Sequence, residues 1–208
     1  MIVDDHEMFA TSLQLALSRE SDMEIVGTSP DLASAHLMLA ATQPDVVLLD
    51  QRLPDGTGVA ALGSLRSQAP AARFVVLTGV ADDATVLAAT EAGCDGFVAK
   101  TSRVQELVAA VRAAASGEML VSPALLGRLL GRLTRSSTGV GTDLTRREVE
   151  VLSLIAEGLG NSTIASRLGV SVNTVRNHVQ NVLTKLGAHS KLEALAVAVR
   201  EGLLPERT

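Results

Sequence analysis

Asp4, Asp5, Asp50, Thr78 and Lys100 are the residues of the first hundred whose types, once gathered, can do chemistry. Carboxylates held together repel one another and draw in a hard divalent cation. Mg²⁺ suits such a set, because it accepts a few carboxylates and keeps other positions for water and phosphate oxygens. With that charge neutralised, one carboxylate can attack a phosphoryl donor and form an acyl phosphate. A lysine ammonium and a threonine hydroxyl can then bind the new phosphoryl oxygens. A second set lies far downstream. Asn173, Arg176, Asn177, Gln180 and Thr184 share one face at helical spacing, with no acidic residue among them. Their amide, hydroxyl and guanidinium groups hydrogen-bond base edges and phosphates.

The elements that must position the first set follow from hydrophobic periodicity. Short apolar runs at 1–3, 23–28, 46–49, 74–77 and 96–98 alternate with amphipathic stretches at 7–19, 31–42, 58–68, 82–92 and 103–115. Strands alternating with helices predict right-handed βαβ units, hence a five-stranded parallel sheet with helices on both faces. Val46-Val47-Leu48-Leu49 has no polar alternation, as a strand covered on both sides requires. Ligands of such sheets collect at the carboxyl ends of the strands. Asp4 and Asp5 follow the first predicted strand, Asp50 the third and Thr78 the fourth, while Lys100 lies near the end of the fifth.

Beyond Gly117 the pattern changes. Leu125, Leu126, Leu129, Leu130 and Leu133 predict one amphipathic helix over 122–134, and Ser136-Ser137-Thr138-Gly139-Val140-Gly141 has a linker's composition. Four helices are then predicted, near 145–158, 161–168, 172–186 and 190–202. Asn161 caps the second, Gly169 ends it in a left-handed turn and Ser171 caps the third, a helix-turn-helix. In that third helix Val175, Val179, Val182, Leu183 and Leu186 form the apolar stripe opposite the polar face. The expected division is 1–117 for the α/β domain, 118–141 for a connector containing a helix, and 142–208 for the all-α domain.

Bulk properties bound these readings. The 208 residues suit two domains. Hydrophobic residues make up 47% and aromatics 1%, so aliphatic side chains must build the cores. The net charge of −5 is uneven: residues 1–140 carry 10 basic against 16 acidic side chains, residues 141–208 carry 8 against 7. The acidic half is a poor partner for phosphate backbones, which leaves the downstream half as the nucleic-acid candidate. No apolar run reaches the roughly 18 residues that a membrane helix needs. The carboxylates at positions 4 and 5 exclude a signal peptide, and the single Cys94 fits a reducing cytoplasm.

Asp4-Asp5, Asp50 with Pro54 and Gly58, Thr78-Gly79, and Phe97 three residues before Lys100 resemble the receiver domain of two-component signalling. The string from Leu144-Thr145 through Arg147-Glu148, Asn161, Ile164-Ala165, Thr174-Val175-Arg176-Asn177-His178-Val179 and Lys185-Leu186 resembles the LuxR-type DNA-binding domain of NarL/FixJ response regulators. The resemblance implies a flavodoxin-like receiver in which Asp50 is the phosphoacceptor of a sensor histidine kinase. Asp4, Asp5, Asp50 and the backbone carbonyl of Arg52 would hold Mg²⁺. Thr78 and Lys100 would bind the phosphoryl group, with Thr78 and Phe97 moving as the switch. Arg176, Asn177 and Gln180 would enter the major groove of double-stranded DNA, and Asn173, Thr174 and Lys185 would contact phosphates. The last helix, with Leu192, Leu195, Ala196 and Val199, would pack the domain and help form a symmetric homodimer on DNA.

Two departures accompany the resemblance. Only three residues precede Asp4, where receivers have a longer first strand, and Arg52 and Val80 occupy positions that tune phosphoryl lifetime. Three other functions compete. An orphan regulator of the same architecture would work without phosphate. An aspartate-nucleophile phosphatase needs an acid two residues after Asp50, where Arg52 cannot protonate a leaving group. A protein-interaction module would use the helical half for a partner other than DNA. The expected function is regulation rather than catalysis.

Overall fold

The computed structural model describes residues 1–79, 83–119 and 143–204, with the backbone alone at Asp83. The chain divides into two compact units, Met1–Leu120 and Val121–Thr208. The helix expected at 122–134 lies outside the described residues.

The first unit runs β1 (Ile2–Val3), α1 (Glu7–Leu17), β2 (Thr28–Ser29), α2 (Leu32–Thr42), β3 (Val46–Asp50), β4 (Arg52–Leu53), β5 (Gly56–Thr57), α3 (Gly58–Gln68), β6 (Arg73–Thr78), α4 (Asp83–Glu91), β7 (Gly96–Ala99) and α5 (Val104–Ala115). Five strands pair in the order β2-β1-β3-β6-β7, all parallel, and β4 pairs with β5 in a small antiparallel hairpin. This is the doubly wound flavodoxin-like order, in which the order of strand addition reverses between β1 and β3. Alternation along the strands divides the core. Ile2, Leu48, Val75, Leu77 and Val98 pack with Leu13, Leu17, Leu107 and Val108 of α1 and α5 on one face. Val47, Leu49, Phe74 and Val76, buried and pointing the other way, serve the face of the remaining helices.

The second strand is shorter than its sequence predicts. Pairing sets Ile2 opposite Thr28 and Val3 opposite Ser29. Residues 23–26 lie outside that ladder, which is continued on one side by the bond from Ile2 N–H to the Gly27 carbonyl at 3.0 Å. The hairpin of β4 and β5 was not expected from sequence, since each strand is too short to show a period.

The second unit contains α6 (Arg146–Ala156), α7 (Asn161–Leu168), α8 (Val172–Leu186) and α9 (Lys191–Arg200). Side-chain caps fix the starts of α6, α8 and α9, but the cap expected at Asn161 does not form. Gly160 takes the N-cap position of α7, and Asn161 Oδ1, inside the helix, accepts from Lys191 Nζ at 2.9 Å. Thr145 and Glu148 form a reciprocal capping box on α6, and Ser171 Oγ accepts from Thr174 N–H at 3.0 Å on α8. Gly169 ends α7 at φ +64°, a left-handed conformation open to glycine at little cost. Val151, Leu152, Ile155, Ile164, Val175, Val182 and Leu192 build the buried centre. No described helix is long and apolar enough to cross a membrane.

Candidate phosphoacceptor site and nucleic-acid interface

The strand order delivers the first chemical set to one edge of the sheet. Asp4 follows β1 and is buried, Asp50 ends β3 and is buried, and Thr78 ends β6 and is buried. Asp5 stays exposed. Ligand atoms of Asp4, Asp5, Asp50 and His6 all lie within 4.8 Å of one another. An oxygen-rich set of this kind, with its burial graded from Asp5 inward, fits a hard divalent cation.

Lys100, just past β7, reaches into the cluster. Its Nζ lies 2.7 Å from Oδ2 of Asp4 and donates to Oδ2 of Asp50 at 2.8 Å. Burial works against its charged form, but hydrogen bonds to Asp4 and Asp50 outweigh it and hold the lysine pKa above the ordinary value. The backbone N–H of Lys100 donates to the carbonyl of Thr78 at 2.8 Å, which locks the ends of β6 and β7 together. Phe97 sits on β7 opposite Val76, half-buried.

The loop after Asp50 is held closely. Gly58 N–H donates to the carbonyl of Gln51 at 3.0 Å, and a Cβ on Gly58 would stand 2.3 Å from the carbonyl oxygen of Asp50. Only glycine admits that approach. Asp55 carboxylate oxygens accept from the backbone N–H groups of Leu32 and Ala33, both at 3.0 Å, which ties the loop to the start of α2. Those bonds hold the Asp55 carboxyl below the usual carboxylate range. Arg52, exposed, extends a guanidinium nitrogen toward Gly79, 3.8 Å from where a side chain would begin. A cavity of about 480 Å³ opens over Asp50, and Thr78, Lys100, Arg52, His6, Phe9 and Thr85 are among its lining residues.

Sequence reasoning passed over three of these neighbours. His6 directly follows Asp4-Asp5, and its Nδ1 lies 2.7 Å from Asp5 Oδ1; its adjacency was the available signal. Phe9 and Thr85 carry no motif and reach the cavity only through the fold.

In the helical unit, Val175, Val179, Val182, Leu183 and Leu186 of α8 are buried, and Asn173, Arg176, Asn177, Gln180 and Thr184 are exposed on the other side. Thr174 and His178 are half-buried between the faces. Lys185 stands apart from this exposed row: its Nζ donates to Glu148 Oε2 at 2.7 Å and to the carbonyl of Asp143 at 3.1 Å. Glu148 is itself buried. Burial raises its carboxyl pKa, but the bonds from Lys185 and from the Thr145 backbone and hydroxyl prevail and leave it below the ordinary value. In α9, Leu192, Leu195 and Ala196 are buried and Val199 half-buried within the chain.

The family of the response regulator receiver domain matches residues 1–112, and that of the bacterial regulatory proteins of the luxR family matches residues 142–198. Response regulator protein VraR of Staphylococcus aureus is 32% identical over 204 residues, 98% of this chain and 97% of VraR. A LuxR-family two-component response regulator from Aurantimonas is 31% identical over 63% of this chain and 94% of its own, with a TM-score of 0.58. RcsB, in a structure of two dimers bound to two parallel DNAs, shares the fold at a TM-score of 0.58 and 24% identity, covering 96% of both chains. A doubly wound unit with its carboxylates gathered at the strand ends, followed by a helix-turn-helix, and matched over nearly its whole length, belongs to the LuxR-type (NarL/FixJ) response regulators of two-component systems.

Proposed function

We propose that this response regulator is a transcription factor switched by phosphorylation of Asp50. One observation carries the reading: the Lys100 ammonium bridges the buried carboxylates of Asp4 and Asp50 beneath an open cavity, beside Thr78. An Asp50 oxygen attacks the phosphorus of a phosphohistidine on a sensor kinase. The P–N bond breaks, the imidazole nitrogen keeps the electron pair and takes a proton, and an acyl phosphate forms. Asp4, Asp5, Asp50 and the Arg52 carbonyl hold Mg²⁺, which when bound neutralises the carboxylates and polarises the phosphoryl oxygens. Lys100 and the Thr78 hydroxyl bind the transferred group, and Phe97 follows Thr78 inward.

The output is DNA binding by α8. Arg176, Asn177 and Gln180 read base edges in the major groove, with Asn173 and Thr174 on phosphates. The Lys185 phosphate contact remains part of the proposal, and to make it the side chain must leave or share Glu148. With so few free basic groups a single domain binds weakly, and pairing on two half-sites supplies affinity. The DNA-bound dimers of RcsB support a homodimeric active state. The domains are a receiver at 1–117, a connector at 118–141 and a DNA-binding domain at 142–208. The protein works in the cytoplasm as a regulator and turns over no free substrate. The complete set of Asp4, Asp5, Asp50, Thr78 and Lys100 favours phosphorylation over control without it.

The test is DNA affinity before and after treatment with a small phosphodonor and Mg²⁺, on a duplex selected from a random pool. Wild type should bind more tightly after treatment and Asp50→Ala should not respond. Equal induction in Asp50→Ala would contradict the proposal.

A further inference from the structure

Phe9 is one of three phenylalanines in a chain without Trp or Tyr. It lies in the first turn of α1, half-buried against the core shared by α1, α5 and the sheet. An aliphatic side chain would meet that packing demand, as Leu13 and Leu17 do further along the helix. What a leucine lacks is a π face. The Phe9 ring centroid lies 4.9 Å from Nζ of Lys100, within the range of a cation–π contact. The same ammonium lies 2.7 Å from Asp4 and 2.8 Å from Asp50. Lysine's charge rides on a flexible four-carbon stem, so two carboxylate contacts leave it free to swing toward water. The ring adds a third contact to the ammonium. Phe9 and Lys100 also line both the cavity over Asp50 and a second one of about 210 Å³, shared with Leu13, Ala16, Val104 and Leu107 of α1 and α5.

We propose that Phe9 is a positioning residue for Lys100: its ring holds the ammonium over Asp50 and thereby sets how fast Asp50 accepts a phosphoryl group. The proposal rests on Asp50 being the acceptor and extends it, giving α1 a part in the chemistry through an aromatic side chain that no motif marks.

The test compares full-length wild type, Phe9→Leu and Phe9→Tyr, with unfolding midpoints measured for each. Lys100, Lys185 and Lys191 are the chain's lysines, so their ε-methylene signals can be assigned by NMR. The ring should displace the Lys100 signal upfield in wild type and Phe9→Tyr, and Phe9→Leu should return it to the ordinary lysine position. With Mg²⁺ and acetyl phosphate, Phe9→Leu should be phosphorylated about two- to fivefold more slowly, the size of a partly exposed cation–π contact. Phe9→Tyr should restore the rate. A Phe9→Leu protein as fast as wild type would overturn the proposal. So would a folded Phe9→Tyr as slow as Phe9→Leu, or an undisplaced Lys100 signal in wild type. If wild type takes up no phosphoryl group, the acceptor role of Asp50 fails instead, and the Lys100 signal alone decides whether Phe9 holds the ammonium.

Discussion

Arg52 and Glu148 do their work one side chain at a time. Arg52 lines the cavity over Asp50 and extends its guanidinium toward Gly79, a position from which it would shield a phosphoryl group on Asp50 from water. Arg52→Ala should therefore shorten the half-life of phosphorylated Asp50, and an unchanged half-life would remove Arg52 from the site. Glu148 unites the capping box of α6 with the ion pair to Lys185. Because its pKa is lowered on folding, its contribution is present above the unfolded value of about 4.5 and is lost as pH falls through the folded value. Glu148→Ala should lower the stability of the helical unit by about 2–3 kcal/mol at pH 7 in chemical denaturation followed by helical circular dichroism. The deficit should shrink as the pH is taken below 4. The Lys185 pairing was not legible in the sequence, since its partner lies 37 residues away on another helix. Asp50, Asp5, Thr78 and Lys100 were legible because strand ends can be read from apolar runs, and strand ends are where such sheets place ligands.

Among the elements, β3 and β6 and the helices of the first unit declared themselves through sustained apolar patterning, α8 through its Ser171 cap and α7 through its terminal Gly169. Asn161, read as the cap of α7, lies inside that helix. The strand β2 did not declare its length, since the apolar run at 23–28 reads as a longer strand than the two residues that pair with β1. The β4–β5 hairpin is likewise a product of the tether from Asp55 to α2 and the close approach of Gly58 to Asp50. The helix α8 is divided cleanly enough that a change on one side need not disturb the other. Arg176→Ala removes an exposed guanidinium and no core contact. It should cost about 1–3 kcal/mol in binding to a selected duplex and relax preference at one base pair, measured by fluorescence anisotropy across single-base variants. A uniform loss over all duplexes would instead make Arg176 a phosphate contact.

At the scale of the whole molecule, the acidic receiver and the near-neutral helical half divide the labour. The receiver's acidic charge makes it a poor partner for nucleic acid and, under the proposed function, would draw in the cation, while the exposed face of α8 is left free of carboxylates. Length, composition and this asymmetry made the two-part organisation readable from the sequence. How the parts influence each other was not, because that depends on contacts made by the surface of each folded unit. The account turns on whether Asp50 takes up a phosphoryl group. Intact mass of wild type and Asp50→Ala, after incubation with Mg²⁺ and acetyl phosphate or phosphoramidate, measures that directly. A Mg²⁺-dependent gain of one phosphoryl mass in wild type alone is the predicted result. No gain with either donor, or an equal gain in Asp50→Ala, would contradict it.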